Sequence, residues 1–332
     1  MLEILLGEGR PLLADGATGT NLFEMGLNSG DSPELWNDAH PDQIHALHQS
    51  FIDAGADIIL TNSFGGNRRR LMLHQLESRT RELNRLAASI ARSAAASAGR
   101  RVVVAGSVGP TGDLLAPLGP ITEDEAFDIF VEQIEGLKEG GADVVWIETM
   151  SAPDEIRAAA RAAGSLCMPY TVTASFDTAG KTMMGVAPAA LAELVSCFDP
   201  KPLAFGANCG VGASDLVMSI LAMTQARPEA VVIAKANAGI PQWHGAHIHY
   251  SGTPELMAEY AGLAIDAGAR IVGGCCGSTA AHLAAMRRAI DSHAAGGRPQ
   301  LTDVVAALGP LVAPPSTAEG QTRKRRRDSA AP

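Results

Sequence analysis

The 332-residue sequence predicts a single-domain α/β protein with the fold of a (β/α)8 barrel. Short apolar segments recur along the chain, and the stretches between them have the 3.6-residue periodicity of amphipathic helices. The eight segments are PLLAD (11–15), DIILTN (57–62), RVVVAGS (101–107), DVVWIE (143–148), YTVTASF (170–176), LAFGAN (203–208), VVIAKAN (231–237) and RIVGG (270–274). Strands that alternate with helices imply parallel strands joined by crossovers, and eight such units in about 300 residues suit a closed barrel.

A weak internal repeat supports this architecture. AGADIILTNS (54–63), GGADVVWIET (140–149) and AGARIVGGCC (267–276) each place a glycine after a helix and a buried strand directly beyond it. A doubly wound open sheet would more often have five to seven strands and a G-x-G-x-x-G fingerprint, which this sequence lacks. The repeat therefore favours the barrel over an open sheet.

Composition and charge exclude several classes of protein. The net charge of -10 argues against nucleic-acid or anionic membrane partners, which need an excess of Lys and Arg. No apolar run approaches the roughly 18 to 20 residues of a membrane span, and the start of the chain lacks the pattern of a signal peptide. The sequence thus predicts a soluble cytoplasmic protein that binds neither nucleic acid nor membrane.

The chain divides into a barrel over residues 1–312 and a disordered basic tail over residues 313–332. The tail is rich in proline, alanine and charge and has almost nothing to bury. Its RKRRR run is interpreted as part of a solvated tail, and contact with a nucleic acid or an acidic partner is the alternative.

Three of the five cysteines fall where the active face of a barrel is expected, in the loops that follow the strands. Cys209 ends the sixth segment, and Cys275 and Cys276 follow the eighth. Three thiolates at one barrel mouth suit Zn²⁺ and leave a position for water or substrate. The alternative is that GGCCG is a tight glycine-rich turn with incidental thiols. Cys167 and Cys197 lie in connecting segments and are predicted to be buried apolar fillers.

Several motifs give the sequence a family resemblance. In order they are LLADGATGTNLFEMGL, AGADIILTNSFGGNRRRL, VAGSVGPTGDLL, GGADVVWIETM, FGANCGVG, KANAGIP and GGCCGSTAAHLAAM. Over roughly residues 10–290 the chain resembles the homocysteine-binding module of cobalamin-dependent methionine synthase. It is similar, less closely, to betaine–homocysteine and S-methylmethionine–homocysteine methyltransferases. The resemblance implies a zinc-dependent homocysteine S-methyltransferase that makes methionine.

The same resemblance implies the roles of the catalytic residues. Cys209, Cys275 and Cys276 would bind zinc, and the sulfur of homocysteine would add as a further ligand. Glu148 and Asp15 would hold the ammonium group of the substrate. Both carboxylates have an alternative interpretation as strand-end residues that cap the next helix.

Backbone groups and one amide complete the predicted site. The substrate carboxylate is expected to meet backbone N–H groups around Gly16, Ala17 and Ser107, because glycine permits close approach and DGATGT leads into a helix. Asn237 is expected to supply a fourth zinc ligand or to orient a water. Its alternative role is that of a turn-forming residue before Gly239.

A histidine-rich tract offers a rival metal site. QWHGAHIHY places His244, His247 and His249 close together in the loop after the seventh segment. The resembling families match this chain on both sides of the tract without sharing its histidines. Contact with the methyl donor, or plain loop polarity, is therefore the favoured interpretation.

The methyl donor is predicted from the scarcity of aromatic residues. Betaine is best held by aromatic faces, but the chain is only 4% aromatic. The betaine enzymes have a tyrosine at the positions of Gly65 and Thr149, and Trp36, Trp146 and Trp243 compensate only in part. The expected donor is methylcobalamin on a separate corrinoid-binding protein, as in a split methionine synthase.

Three alternatives remain beside this donor prediction. The first keeps the reaction and changes the donor to betaine, S-methylmethionine or dimethylsulfoniopropionate. The second is a non-catalytic zinc-stabilised binding barrel. The third is a sugar-phosphate or amide enzyme, although NAGIP and the cysteine pair replace its phosphate-binding glycine loops.

Overall fold

The computed structural model describes residues 1–244 and 247–312, with side chains described outside residues 241–249. The strands are β1 Leu12–Leu13, β2 Ile58–Leu60, β3 Val103–Val108, β4 Val144–Met150, β5 Tyr170–Ala174, β6 Ala204–Cys209, β7 Val232–Ala236, β8 Pro241–His244, β9 His247–Tyr250 and β10 Ala269–Gly274. The α-helices are α1 Leu2–Gly7, α2 Thr18–Glu24, α3 Trp36–Ala39, α4 Pro41–Asp53, α5 Arg68–Leu71, α6 Thr80–Ala96, α7 Glu123–Glu139, α8 Pro153–Ser165, α9 Pro188–Ser196, α10 Ala213–Ala226, α11 Pro254–Asp266, α12 Ala280–Asp291 and α13 Leu301–Leu308. Short 3-10 turns lie at Pro33–Leu35, Met72–His74 and Glu77–Arg79.

Eight parallel strands form a barrel in the order β1-β10-β7-β6-β5-β4-β3-β2. A bridge between Ala14 and Ile58 joins the two ends of this order. On either side of the bridge, the amide of Asp15 donates to the carbonyl of Ile58 at 2.9 Å and the amide of Asp57 donates to that of Leu13 at 2.7 Å. Every predicted apolar segment overlaps one barrel strand, so the predicted fold class is confirmed.

The alternation of side chains along the strands produces two apolar layers. Ile58 and Leu60 point into the barrel, whereas Ile59 packs outward against the helices. Leu2 and Leu5 of α1 join the interior cluster, and they are 1% and 2% exposed. The sequence analysis did not predict α1 or its packing against the barrel interior, because a helix of six residues shows little periodicity.

The repeated helix-to-strand connection adopts the same backbone shape each time. Gly55, Gly141 and Gly268 have φ angles of 100°, 95° and 104°. These angles favour glycine because a Cβ would be crowded there. In each copy of the repeat, a glycine in the left-handed backbone conformation therefore ends the helix and directs the chain into the next barrel strand.

A two-stranded antiparallel hairpin, formed by β8 and β9, follows the seventh barrel strand. The sequence analysis predicted only a loop here. None of the helices in the described part of the chain has the length and apolar content needed to span a bilayer. The predicted tail, residues 313–332, lies outside the described residues.

Candidate functional site

The three cysteines at the strand ends converge at the barrel mouth. Cys209 is the last residue of β6, and Cys275 and Cys276 directly follow β10. Their Sγ atoms all lie within 4.8 Å of one another, and each residue is partly exposed. Within the described residues this is the group of His, Cys, Asp and Glu side chains arranged to hold a metal ion. Barrel closure thus brings together thiols that are 66 and 67 positions apart in sequence.

The backbone around the thiols is held by hydrogen bonds to the end of β7. The amide of Cys275 donates to the carbonyl of Ala236 at 2.6 Å, and the amide of Ala238 donates to that of Cys276 at 2.9 Å. Cys209 has a φ of 62°, an uncommon conformation for a residue with a side chain. The three thiols therefore project from a backbone that is fixed before any ligand binds.

Without a cation, these thiols resist ionisation. For Cys209, a hydrogen bond with Cys275 lowers the pKa, but one with Cys276 together with burial raises it to about 12. The pKa of Cys276 is likewise raised to about 12, since Cys275 and burial outweigh the hydrogen bond from Cys209. The pKa of Cys275 is also raised, first by its hydrogen bond with Cys209. A bound cation is the simplest way to make such a cluster anionic at neutral pH.

Asn237 lies beside the cluster with an unused oxygen. Its Nδ2 donates to the carbonyl of Gly210 at 2.9 Å, whereas its Oδ1 is buried and has no hydrogen-bond partner. A hydrogen bond from Asn237 lowers the pKa of Cys209, which places the amide next to that thiol. The backbone also turns here, because the amide of Gly239 donates to the carbonyl of Asn237 at 2.8 Å. The roles of metal ligand and of turn former both stay predictions for this residue.

Glu148 is a buried carboxylate beside the thiols, with 8% of its surface exposed. Its Oε1 accepts a hydrogen bond from the Ser107 hydroxyl at 2.5 Å, and its Oε2 has only a 3.5 Å contact with Nδ2 of Asn208. Burial raises its pKa, while the charge of Lys235 and the Ser107 hydrogen bond lower it. Oε2 is therefore the oxygen that can accept a further cationic donor.

Asn208 connects three strands around this carboxylate. Its Oδ1 accepts hydrogen bonds from the amide of Thr149 at 2.9 Å and the hydroxyl of Thr173 at 2.8 Å. Its Nδ2 donates to the Thr149 hydroxyl at 2.7 Å and lies 3.8 Å from the Cys275 sulfur. Thr149 has a φ of 59°, which is strained for a β-branched residue. Asn208 thus holds the end of β4 against the thiol cluster.

Asp15 is fully buried and ion-paired. Its Oδ1 lies 2.7 Å from Nζ of Lys235, and its Oδ2 accepts from the amide of Leu60 at 2.6 Å. Lys235 is 2% exposed. Burial lowers the pKa of Lys235, but the charges of Asp15 and Glu148 outweigh it and raise the pKa above its ordinary value. Lys235 is therefore a cation held against Asp15 inside the barrel.

Two of the backbone groups predicted to meet the substrate carboxylate have protein acceptors. The amide of Ala17 donates to the carbonyl of Ser278 at 3.3 Å, and the amide of Ser107 donates to the Thr61 hydroxyl at 3.0 Å. Gly16 lies against Ser278, where a Cβ would stand 3.0 Å from the carbonyl oxygen. Glycine is needed at this position, and the carboxylate contacts remain predictions.

The prediction for the two remaining cysteines is wrong. Cys167 and Cys197 are exposed, not buried. Cys197 is the C-cap of α9, and Cys167 follows α8 with a φ of 54°. Both lie at helix ends, where the chain turns away from the core. The predictions for His244, His247 and His249 concern side chains outside the described set.

Sequence reasoning also missed three side chains at the site. Lys235 lies inside VVIAKAN, where a charged residue in an apolar strand was the available signal. Asn208 was noted only as a strand end. Tyr250, the last residue of β9, is hydrogen-bonded to Cys276, and a Cβ on Gly277 would stand 2.3 Å from its Cγ. Its position depends on the hairpin, which was not predicted.

An α/β barrel with three thiols, an amide and a buried carboxylate at its mouth has the architecture of an enzyme barrel with a candidate metal site. The family model of homocysteine S-methyltransferases matches residues 12–290. The chain belongs to the homocysteine S-methyltransferase family, a family of methyltransferase enzymes, and the resemblance found in the sequence is confirmed.

Individual relatives agree with this assignment. The methionine synthase of Mycobacterium tuberculosis (strain ATCC 25618 / H37Rv) is 29% identical over 307 residues, which cover 87% of this chain and 25% of that protein. That of Mycobacterium leprae (strain TN) is 29% identical over 85% of this chain and 24% of its own length. This chain therefore spans about a quarter of these relatives. The metallated homocysteine methyltransferase MmuM from Escherichia coli shares the fold, with a TM-score of 0.73, 24% identity, and coverage of 86% of this chain and 99% of that chain.

Proposed function

We propose that this protein is a zinc-dependent homocysteine S-methyltransferase that makes methionine. The single observation that supports it most is the cluster of three Sγ atoms within 4.8 Å of one another at the mouth of the barrel. Family membership supplies the substrate, homocysteine, and argues against a non-catalytic binding barrel.

The donor set fits Zn²⁺. Cys209, Cys275 and Cys276 would hold the ion, since three thiolates are soft ligands of the kind that zinc prefers. The buried Oδ1 of Asn237 lacks a partner and is a suitable fourth donor when no substrate is present. When bound, Zn²⁺ would supply a Lewis acid that keeps a coordinated thiol deprotonated and nucleophilic at neutral pH.

The surrounding residues bind and orient the amino acid. Oε2 of Glu148 accepts the ammonium group of homocysteine, while Ser107 fixes the other carboxylate oxygen. The resemblance implies a second ammonium contact at Asp15, but both oxygens of this carboxylate are already bonded, to Lys235 and to the amide of Leu60. Backbone N–H groups near Gly16, Ala17 and Ser107 are the proposed contacts of the substrate carboxylate. For Ala17 and Ser107 this requires sharing or exchange of the hydrogen bonds that they make without substrate.

Metal content and turnover of two cysteine variants test this function. Cys276→Ala should lose both bound zinc and methionine formation, because two thiols hold the ion poorly. Cys197→Ala is the matched control, since that thiol is exposed and distant from the cluster in the fold. Full activity in demonstrably zinc-free Cys276→Ala protein would refute the proposed mechanism.

For the methyl donor we propose methylcobalamin on a separate corrinoid-binding protein. The two positions at which betaine enzymes have tyrosine offer no aromatic face here. A Cβ on Gly65 would stand 2.8 Å from Oε1 of Glu34, and the Thr149 hydroxyl is occupied by Asn208. The relatives named methionine synthase match this chain over about a quarter of their own length.

A small onium donor is the second candidate, and Tyr250 favours it. Its ring packs on Gly277 and its hydroxyl is hydrogen-bonded to Cys276. An aromatic face beside the proposed metal would stabilise a quaternary ammonium or sulfonium group close to the homocysteine sulfur. Betaine, S-methylmethionine and dimethylsulfoniopropionate all have such a group.

One set of assays separates the two donors. Zinc-loaded protein and homocysteine are incubated separately with betaine, S-methylmethionine, dimethylsulfoniopropionate or methylcobalamin, and methionine is measured. Methionine from methylcobalamin supports the carrier-borne donor, whereas methionine from an onium alone overturns it. In the onium case, Tyr250→Leu should raise KM for the onium about tenfold more than KM for homocysteine.

A further inference from the structure

The buried Lys235 pairs with one of the two carboxylates of the site, Asp15, and not with the other, Glu148. Lys235 lies on β7, and the flanking residues Ala234 and Ala236 are fully buried. It is in register with Asn208 of β6 on one side and Gly273 of β10 on the other. A Cβ on Gly273 would stand 3.1 Å from Cγ of Lys235. The absence of a side chain at Gly273 thus leaves space for the lysine to cross β10 and reach Asp15 beside β1.

Lys235 and the amide of Leu60 together bond both carboxylate oxygens of Asp15. Nζ of Lys235 lies 2.7 Å from Oδ1 of Asp15 and 3.3 Å from its backbone carbonyl, and Leu60 donates to Oδ2. Asp15 is 0% exposed. Glu148 differs on each point, because it is 8% exposed and its Oε2 has only the 3.5 Å contact with Asn208.

The charges of these three side chains also distinguish Asp15 from Glu148. Asp15 and Glu148 would together present two negative charges, and Lys235 cancels one of them. Of the two carboxylates, Glu148 is then the one without a cationic partner, and it matches the one ammonium group of an α-amino acid. A buried charge without a partner is costly, so a pocket with this balance disfavours ligands that lack an amine.

We propose that Lys235 withholds Asp15 from the substrate, so that Glu148 alone receives the ammonium group of the incoming amino thiol. Lys235 is then a positioning residue, because its ion pair with Asp15 leaves Glu148 as the carboxylate open to the ammonium group. This inference rests on the proposed function, and it departs from the resemblance, which implies that both carboxylates contact the ammonium group.

The test compares binding of homocysteine with binding of 4-mercaptobutanoate, the same thiol acid without its amine. Titration calorimetry on zinc-loaded full-length protein gives the ratio of the two affinities. The wild type should prefer homocysteine by about 10- to 100-fold, the range expected for a charged hydrogen bond. Glu148→Gln should lose most of this preference. The control Glu155→Gln removes another buried carboxylate, which is held by Thr111, and should keep the preference.

The decisive variant removes the ion pair as a unit. Asp15→Asn combined with Lys235→Met should keep zinc and keep the wild-type preference within about threefold, since neither group touches the ligand. Either substitution alone should lower the thermal midpoint, because it leaves a charged group without its buried partner. A folded, zinc-loaded double variant that loses the preference as fully as Glu148→Gln would overturn the inference.

A second measurement needs no variant. In a crystal structure of the wild type with zinc and homocysteine, the substrate nitrogen should lie within hydrogen-bond distance of Glu148, with the Lys235–Asp15 pair intact. A substrate nitrogen bonded to Asp15, with Lys235 displaced, would overturn the inference and leave the proposed function standing. Failure of the wild type to bind homocysteine at all would overturn both.

Discussion

Replacement of Asn208 by alanine should weaken both the fold and the substrate site. The change removes the acceptor for the buried Thr173 hydroxyl and for the partly buried amide of Thr149. A buried polar group without a partner costs about 1–3 kcal/mol, so the two losses together should lower the free energy of unfolding by about 2–4 kcal/mol. For a domain of this size we expect the thermal midpoint to fall by about 3–6 °C.

The same variant should affect homocysteine binding more than zinc binding. Asn208 holds the residue that follows Glu148, so its loss should raise the homocysteine KM about tenfold while the protein still binds about one zinc ion. Thermal denaturation, metal analysis and steady-state kinetics measure these effects. Thr171→Val is the matched control, because the Thr171 hydroxyl is buried in the neighbouring strand without a partner and its removal should not destabilise the protein. An Asn208→Ala protein as stable as this control would refute the reasoning.

Three further predictions follow from the described contacts. Thr173→Val should lower the free energy of unfolding by about 1 kcal/mol in denaturant titrations, because its hydroxyl donates to Asn208, and an unchanged midpoint would contradict this role. Gly206→Ala should prevent soluble expression, since a Cβ would stand 1.9 Å from the carbonyl of Ile233; a folded variant would show that β6 and β7 can separate. In metal-free protein at pH 8, thiols with a pKa of about 12 are ionised to about one part in ten thousand. Cys167 and Cys197, which are exposed, should therefore be alkylated first. The alkylation rate of the three clustered thiols, measured by mass spectrometry, should rise about tenfold per pH unit. Equal alkylation rates for the exposed and the clustered thiols at pH 8 would contradict the raised pKa values.

Local sequence patterns were sufficient to predict the barrel. Each strand is a short apolar segment. The glycines of the repeat end helices in the left-handed backbone conformation, and this can be recognised without reference to distant residues. The hairpin β8–β9 and the helix α1 were not predicted, because these elements are too short to show a clear hydrophobic periodicity. The exposure of Cys167 and Cys197 was missed for a related reason, since composition does not say which side of a helix end faces solvent.

The sequence by itself located the apolar strands, and the residues near their carboxyl ends included the three thiols and Glu148. Only the tertiary structure decided how those ends pair. Lys235 and Asp15 are 220 positions apart, and Asn208 and Thr149 are 59 apart. Contacts of this kind depend on the register of neighbouring strands and on the way the barrel closes, which no local pattern encodes. Local patterns along the chain thus predict the fold class, whereas the charge pairing of the site arises only when the barrel closes and brings Lys235 of β7 to Asp15 beside β1.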